Sequence, residues 1–210
     1  MKKLIIFQTV NNKEKKMSAH KIITTMVFTL LISGCATTTM HTYQAVGKNN
    51  ICEETNLGKT VVLPEAAWRH DQKEPRKREI MALEEIEHSF QNMPCGDILT
   101  PEGIRKFSNW SSKPEPELLK KFSDEGVDTI IILRIEELTP RLQITFSLPF
   151  LWSGSNEVDF RIRVISVKTG TVLNDMRVKR FTGGPFNIRP AEWSRIELKS
   201  ALSEIIGNSK

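Results

Sequence analysis

The sequence predicts an α/β fold of the α+β kind, a mixed sheet that ends in an antiparallel meander and is packed by amphipathic helices. Three observations predict it. Apolar, β-branched runs in the first half are separated by segments of helical periodicity, later segments alternate strictly between apolar and polar residues, and a short turn joins two of these.

The chain opens with a leader. Ile22 to Gly34 is an apolar run of about 13 residues, short of the roughly 20 that a spanning helix needs. It follows a basic start and ends on small residues, which together make a secretory signal peptide. Met1 to Lys16 is a long polar lead, whereas Met17-Ser18-Ala19-His20-Lys21 is a compact signal start, so translation is expected to begin at Met17. Leu31-Ile32-Ser33-Gly34-Cys35 resembles the bacterial lipobox. That resemblance implies a diacylglycerol on Cys35, cleavage before it, and a mature protein held to the membrane by that lipid. In the Gram-negative pattern that this segment resembles, an Asp at the position of Ala36 would favour inner-membrane retention, so the resemblance implies the periplasmic face of the outer membrane.

Residues 1–34 hold six of the 30 Lys and Arg and one of the 25 acids, leaving 24 of each, so the mature chain is formally neutral. The basicity belongs to the leader. A nucleic-acid partner would require a basic face that does not survive its removal. The remaining 176 or so residues make one domain of ordinary size. Cys52 and Cys95 form an even pair in an exported protein and read as a disulfide, the other reading being two thiols too far apart to bridge.

Residues 35–57 are polar, without helical or strand periodicity, and read as the lipidated N-terminus and a flexible tether. At no more than about 3.5 Å per residue, the tether keeps the domain, residues 58–210, close to its membrane. Lys59 to Pro64 is a buried strand. A charged loop from Arg69 to Arg78 leads into a helix from about Glu79 to Asn92, with Ile80, Leu83, Ile86 or Glu87, Phe90 and Met93 at helical spacing. Thr100-Pro101-Glu102 predicts a short helix within Ile98 to Trp110. Leu118, Leu119 and Phe122 mark another helix that stops near Gly126.

Val127 to Ile135 lacks alternation and reads as a central strand. Leu142, Ile144, Phe146, Leu148 and Phe150 alternate with polar residues, the period of a strand with one wet face. Phe160, Ile162 and Val164 do the same, and Lys168-Thr169-Gly170 turns the chain into Val172 to Phe181. Gly183-Gly184-Pro185 breaks the meander. A final helix follows Pro190, with Trp193, Ile196, Leu202, Ile205 and Ile206 as its buried stripe and Gly207 as its C-cap.

Thr60 to Pro64 as first strand, Gly126 to Ile132 as helix-to-strand junction and Val164 to Leu173 as hairpin resemble the small α/β domain shared by three groups. These are the curli-secretion lipoprotein CsgG, the amino-terminal domain of TolB and the LpoB-type activators of penicillin-binding proteins. The resemblance spans most of residues 58–207 and implies a periplasmic recognition domain on a lipid anchor. The chain has no insertion long enough for membrane-crossing hairpins beyond Phe146 to Asn156, and its tether is too short to cross the periplasm.

Little in the sequence points to chemistry. His70-Asp71 and His88 are the one cluster with acid/base or metal potential and read as solvated loop and helix residues, since no HExxH, GxSxG or phosphate-binding glycine loop accompanies them. No metal and no cofactor is expected. Arg69 to Arg78 is either a headgroup-docking run or, with Asp71 and Glu74 in it, a solvated helix entry. Leu151 and Trp152 interrupt the alternation just before a Gly-Ser turn and mark a partner or membrane contact, unless they fold back over the sheet edge. The expected function is non-enzymatic: a lipid-anchored envelope protein that recognises another envelope component in a secretion, transport or wall-building assembly. An auxiliary lipoprotein of a lipid or solute transporter would instead show an apolar groove. An envelope hydrolase would need a buried polar constellation in a pocket.

Overall fold

A computed structural model describes residues 37–53, 56–70, 74–99, 107–145, 151–185 and 192–207. They fall within a single compact unit that starts at Ala36. Six strands form one mixed sheet: β1 (Thr37–Val46), β2 (Gly58–Ala66), β3 (Gly96–Leu99), β4 (Thr129–Thr145), β5 (Leu151–Ser166) and β6 (Val172–Pro185). Three helices among the described residues accompany it: α1 (Pro75–Gln91), α2 (Glu115–Asp124) and α3 (Trp193–Ile206). The sheet order is β1-β6-β5-β4-β2-β3. β2 lies parallel to β3 and to β4, while β4, β5, β6 and β1 pair antiparallel in succession. The predicted α/β class and meander are therefore present.

β4 carries an unbroken apolar run because both faces of its first half are covered. Ile131, Leu133 and Ile135 enter the larger core beneath α1 and α3, and Ile130 and Ile132 enter a smaller core with Trp110, Leu118 and Phe122. A bulge between Ile135 and Glu137 adds one residue. It makes Glu136 and Glu137 share one position of the pleat, so Leu138, three residues after Ile135, returns to the same core. Gly126, in the left-handed region at φ 71°, turns the chain from α2 into this strand.

Several expectations are corrected. The stretch read as a tether contains β1, paired with β6 from Thr37–Gly183 to Val46–Asp175. It shows no period because eight of its ten residues are exposed, including residues on both sides of the ribbon. The following segment is also fixed: the Ile51 N–H donates to the Ile205 carbonyl (2.8 Å) and the Leu57 N–H to that of Cys95 (2.7 Å). Of the short helix expected between Ile98 and Trp110, Ile98 and Leu99 lie in β3 and only a 3-10 turn, Trp110–Ser112, is seen; residues 100–106 lie outside the described residues.

The strand expected over residues 142–150 is a continuation of β4 as far as Thr145, and residues 146–150 fall outside the described residues. Gly154 and Ser155 are not a turn. They pair with β4 on one side and with Gly184 and Gly183 of β6 on the other, so the Gly-Gly-Pro segment extends the meander rather than breaking it. Gly183 is needed there, since a Cβ would come within 2.5 Å of the Ser155 Cβ.

The buried stripe of α3 is Ser194, Glu197, Leu198, Ala201, Leu202, Ile205 and Ile206, leaving Trp193 and Ile196 largely outside it. On α1 the buried residues are Arg78, Ala82, Glu85, Ile86, Ser89 and Phe90, and Ile80 is 62 % exposed. Polar residues replace apolar ones where the helices meet: the Arg195 guanidinium of α3 donates to Glu85 (3.1 Å) and Glu84 (3.2 Å) of α1. A stripe chosen by hydrophobicity alone passes over such pairs.

Candidate recognition cleft

Among the described residues, the edge of the sheet steps back by one strand beside α1. β3 ends at Leu99, opposite Val61 of β2, and among the described residues no further strand pairs with Val62 to Pro64 on that side, where the Ser108 N–H donates to the Pro64 carbonyl (3.3 Å). Pro64 suits such an edge because it has no N–H to leave unpaired. Above the step, α1 contributes Ile80, Leu83, Ile86 and Phe90, and β3 contributes Ile98 and Leu99. These residues enclose a cleft of about 410 Å³ with an apolar lining, and Glu84, Glu87 and Gln91 supply its polar atoms. That volume is within the range of small-molecule or side-chain recognition sites. Ile80 and Leu83, expected in the core, line this opening instead. The signal for it was that α1 has more apolar positions than one stripe can bury.

The opposite face of the sheet, beyond α2, is built differently. Arg134, Arg161 and Arg177 are directly opposite one another on β4, β5 and β6. Like charges in register repel, and carboxylates between them compensate. Asp175 accepts two hydrogen bonds from Arg161 (2.7 and 2.6 Å), Asp159 accepts two from Arg177 (both 2.9 Å), and Glu136 is also bonded to Arg177. The hydrogen bond to Asp175 raises the Arg161 guanidinium above its usual value, and the bond to Asp159 does the same for Arg177. A cavity of about 450 Å³ lined by Trp110, Lys113, Arg134, Arg161 and Arg163 opens on this face. Because its arginines face carboxylates, it is a charge-matched surface rather than a site for an anion.

Of the residues singled out in the sequence, Cys52 and Cys95 are joined in a disulfide with Cα atoms 5.3 Å apart, tying the segment after β1 to the loop before β3. Cys35 lies outside the described residues. Leu151 and Trp152 begin β5, opposite Thr145 and Ile144, and their side chains are outside the described residues. His70 is exposed and His88 lies on the outer side of α1, 3.9 Å from Glu85; Asp71 is not described. Among the described residues no group of three His, Cys, Asp or Glu side chains converges on a metal-sized point. Within the described part of the basic run, Arg76 and Lys77 are exposed. Arg69 pairs with Glu137 and with Glu157, and Arg78 is buried on α1, where loss of solvent lowers its guanidinium from the usual value.

No protein-family model and no curated protein sequence matches the chain. Among solved structures it is similar to the PelC dodecamer from Paraburkholderia phytofirmans, at 11 % identity and a TM-score of 0.39, over 80 % of this chain and 97 % of that one. It is similar to lipoprotein GNA1162 from Neisseria meningitidis at 13 % identity and a TM-score of 0.38, over 72 % and 99 % of the two chains. A minor lipoprotein from Acinetobacter baumannii matches at 11 % identity and a TM-score of 0.35, over 73 % and 93 %. Likeness at this level carries no activity over to this chain.

Proposed function

We propose that this chain is a bacterial envelope lipoprotein, anchored through Cys35 at the periplasmic face of the outer membrane, that acts without catalysis by docking a segment of another envelope protein. The cleft between α1 and the stepped edge of β2 carries this reading. Its apolar lining suits a segment with exposed aliphatic or aromatic anchors, and Glu87 favours Lys or Arg beside them. The leader and the Ser33-Gly34-Cys35 sequence support the anchor.

The test places a photo-activatable residue at Ile80 in the full chain in its native membrane, with the same residue at Thr169 in the exposed β5–β6 turn as control. A discrete protein adduct from position 80 alone, abolished by adding Leu83→Glu, is expected. Equal labelling from both positions overturns the docking reading. The same apolar cleft favours a second reading, an auxiliary lipoprotein of a lipid transporter. Adducts of position 80 with lipid instead of protein would establish that reading, and a radiolabelled-palmitate experiment on Cys35→Ser tests the anchor separately.

A further inference from the structure

We infer that the outer edge of β1 pairs antiparallel with β1 of a second copy of this chain. β1 lies at one end of the sheet, ten residues long, whereas the other end is the four-residue β3. An edge strand presents a row of unpaired N–H and C=O groups, and proteins that stay single blunt it with lysines, prolines, bulges or covering segments. Thr37-Thr38-Thr39-Met40-His41-Thr42-Tyr43-Gln44-Ala45-Val46 contains no Lys, Arg, Asp, Glu or Pro. Its one irregularity, the register shift between Gln44 and Val46, sits at the far end and leaves Thr37 to Gln44 regular.

The occupant follows from the composition of the strand. An uncharged edge offers nothing to select a charged foreign strand. A second copy brings the same Thr-rich, β-forming sequence and sets no like charges opposite one another. Antiparallel pairing of identical strands is closed by a two-fold axis, so it stops at two chains and joins the six-stranded sheets into one. The two Thr37 residues then sit at opposite ends of the joined ribbon, each two positions from its own Cys35. Pairing needs no lipid, but anchoring both chains in one bilayer raises the effective concentration of this small interface.

The geometry fixes the register. In an antiparallel edge alternate residues direct both N–H and C=O outward, and outward residues can pair only with outward residues. The two allowed registers of greatest overlap, each pairing seven of the eight residues from Thr37 to Gln44, therefore set either Met40 or His41 opposite its own copy.

Variants of the full chain with one added cysteine, in its native membrane, test this. Thr38→Cys, Met40→Cys, His41→Cys, Tyr43→Cys and Gln44→Cys are oxidised with copper phenanthroline, with the wild-type chain, whose Cys52 and Cys95 are already bonded, and Thr169→Cys as blanks. The expected result is a disulfide-linked dimer at Met40→Cys or at His41→Cys, with loss of the band two or more residues away on either side. Adding Thr39→Lys to the dimer-forming variant is expected to remove the band while thermal melting shows the fold kept. Equal yields along the strand, yields no higher than the blanks, or β1 adducts with a different protein overturn the proposal. Because Ile80 lies on α1 and not on β1, failure here leaves the cleft reading standing, and the converse.

Discussion

Arg161 and Arg177 stand opposite each other on β5 and β6, and each is held by an aspartate of the other's strand: Asp175 of β6 grips Arg161 and Asp159 of β5 grips Arg177. The exchange turns a like-charge pair into two crossed salt bridges. The two differ in burial. The Asp159 side chain is 2 % exposed and also meets Lys179 at 3.2 Å, whereas the Asp175 side chain is 12 % exposed and its arginine 52 %.

Asp159→Asn is therefore expected to cost about 2 kcal/mol, below the figure for a fully buried pair because Arg177 keeps solvent contact. Asp175→Asn should cost less than about 1 kcal/mol for the same reason applied to a more exposed arginine. Urea unfolding of the two variants checks the order. The linkage has a definite sign. Both guanidinium values are raised on folding, so the stability they add is complete below their ordinary value and is lost only as pH climbs through the folded one. Neither pair should weaken on moving from neutral to mildly alkaline buffer.

The Cys52–Cys95 disulfide spans 43 residues of sequence, enclosing β2 and α1. Closing a loop of that length in the unfolded chain is worth about 4 kcal/mol by chain entropy, and measured values run at about 2–4 kcal/mol. Cys52→Ser with Cys95→Ser should lower the urea midpoint by a corresponding amount and raise the slope of the transition, because the denatured chain without its cross-link exposes more surface. Reductant should do the same to the wild type and nothing to the double variant. A midpoint unmoved by reductant would show that the bond adds no stability.

The two faces of α3 give a sharper test of how the sequence is read. Leu198 is fully buried beneath the sheet while Ile196, two residues earlier, is 52 % exposed. Leu198→Ala is expected to cost about 3 kcal/mol and Ile196→Ala less than about 0.5 kcal/mol. Thermal melts of both, with far-UV dichroism as readout, decide it. The reverse order would restore the stripe that hydrophobicity suggests.

What the sequence revealed and what it hid divide along physical lines. β5 was legible because one face is buried and the period of two is strong, the first half of β4 because an unbroken apolar run is covered on both faces, and β6 from the Lys168-Thr169-Gly170 turn that precedes it. β1 was not, because its residues are mostly exposed and only its hydrogen bonds to β6, between Thr37 and Val46, make it a strand. The bulge at Glu136 was hidden as well, since a run with apolar residues on both faces shows no phase to slip. The cleft escaped for a related cause: Ile80 and Leu83 look like core by their spacing, and only the packing of α1 beside β2 and β3 sets them along an opening. The cysteine pair was legible from count and compartment alone.

Gly58 and Gly126 both occupy the left-handed region, at φ 61° and 71°, yet they should respond differently to alanine. A Cβ on Gly58 would lie 2.5 Å from the Asp128 Oδ2, an atom fixed by accepting the Lys59 N–H at 2.8 Å. Around Gly126 nothing lies within 4 Å of the added carbon. The shared backbone cost is about 1 kcal/mol, so Gly126→Ala should lose about that much. Gly58→Ala should lose about 3 kcal/mol, because either the backbone shifts or Asp128 gives up the hydrogen bond that joins the start of β2 to the start of β4. Equal losses in urea unfolding would mean that Asp128 can move aside freely. Partial rescue by Asp128→Ser in the Gly58→Ala background would identify the clash as the cause.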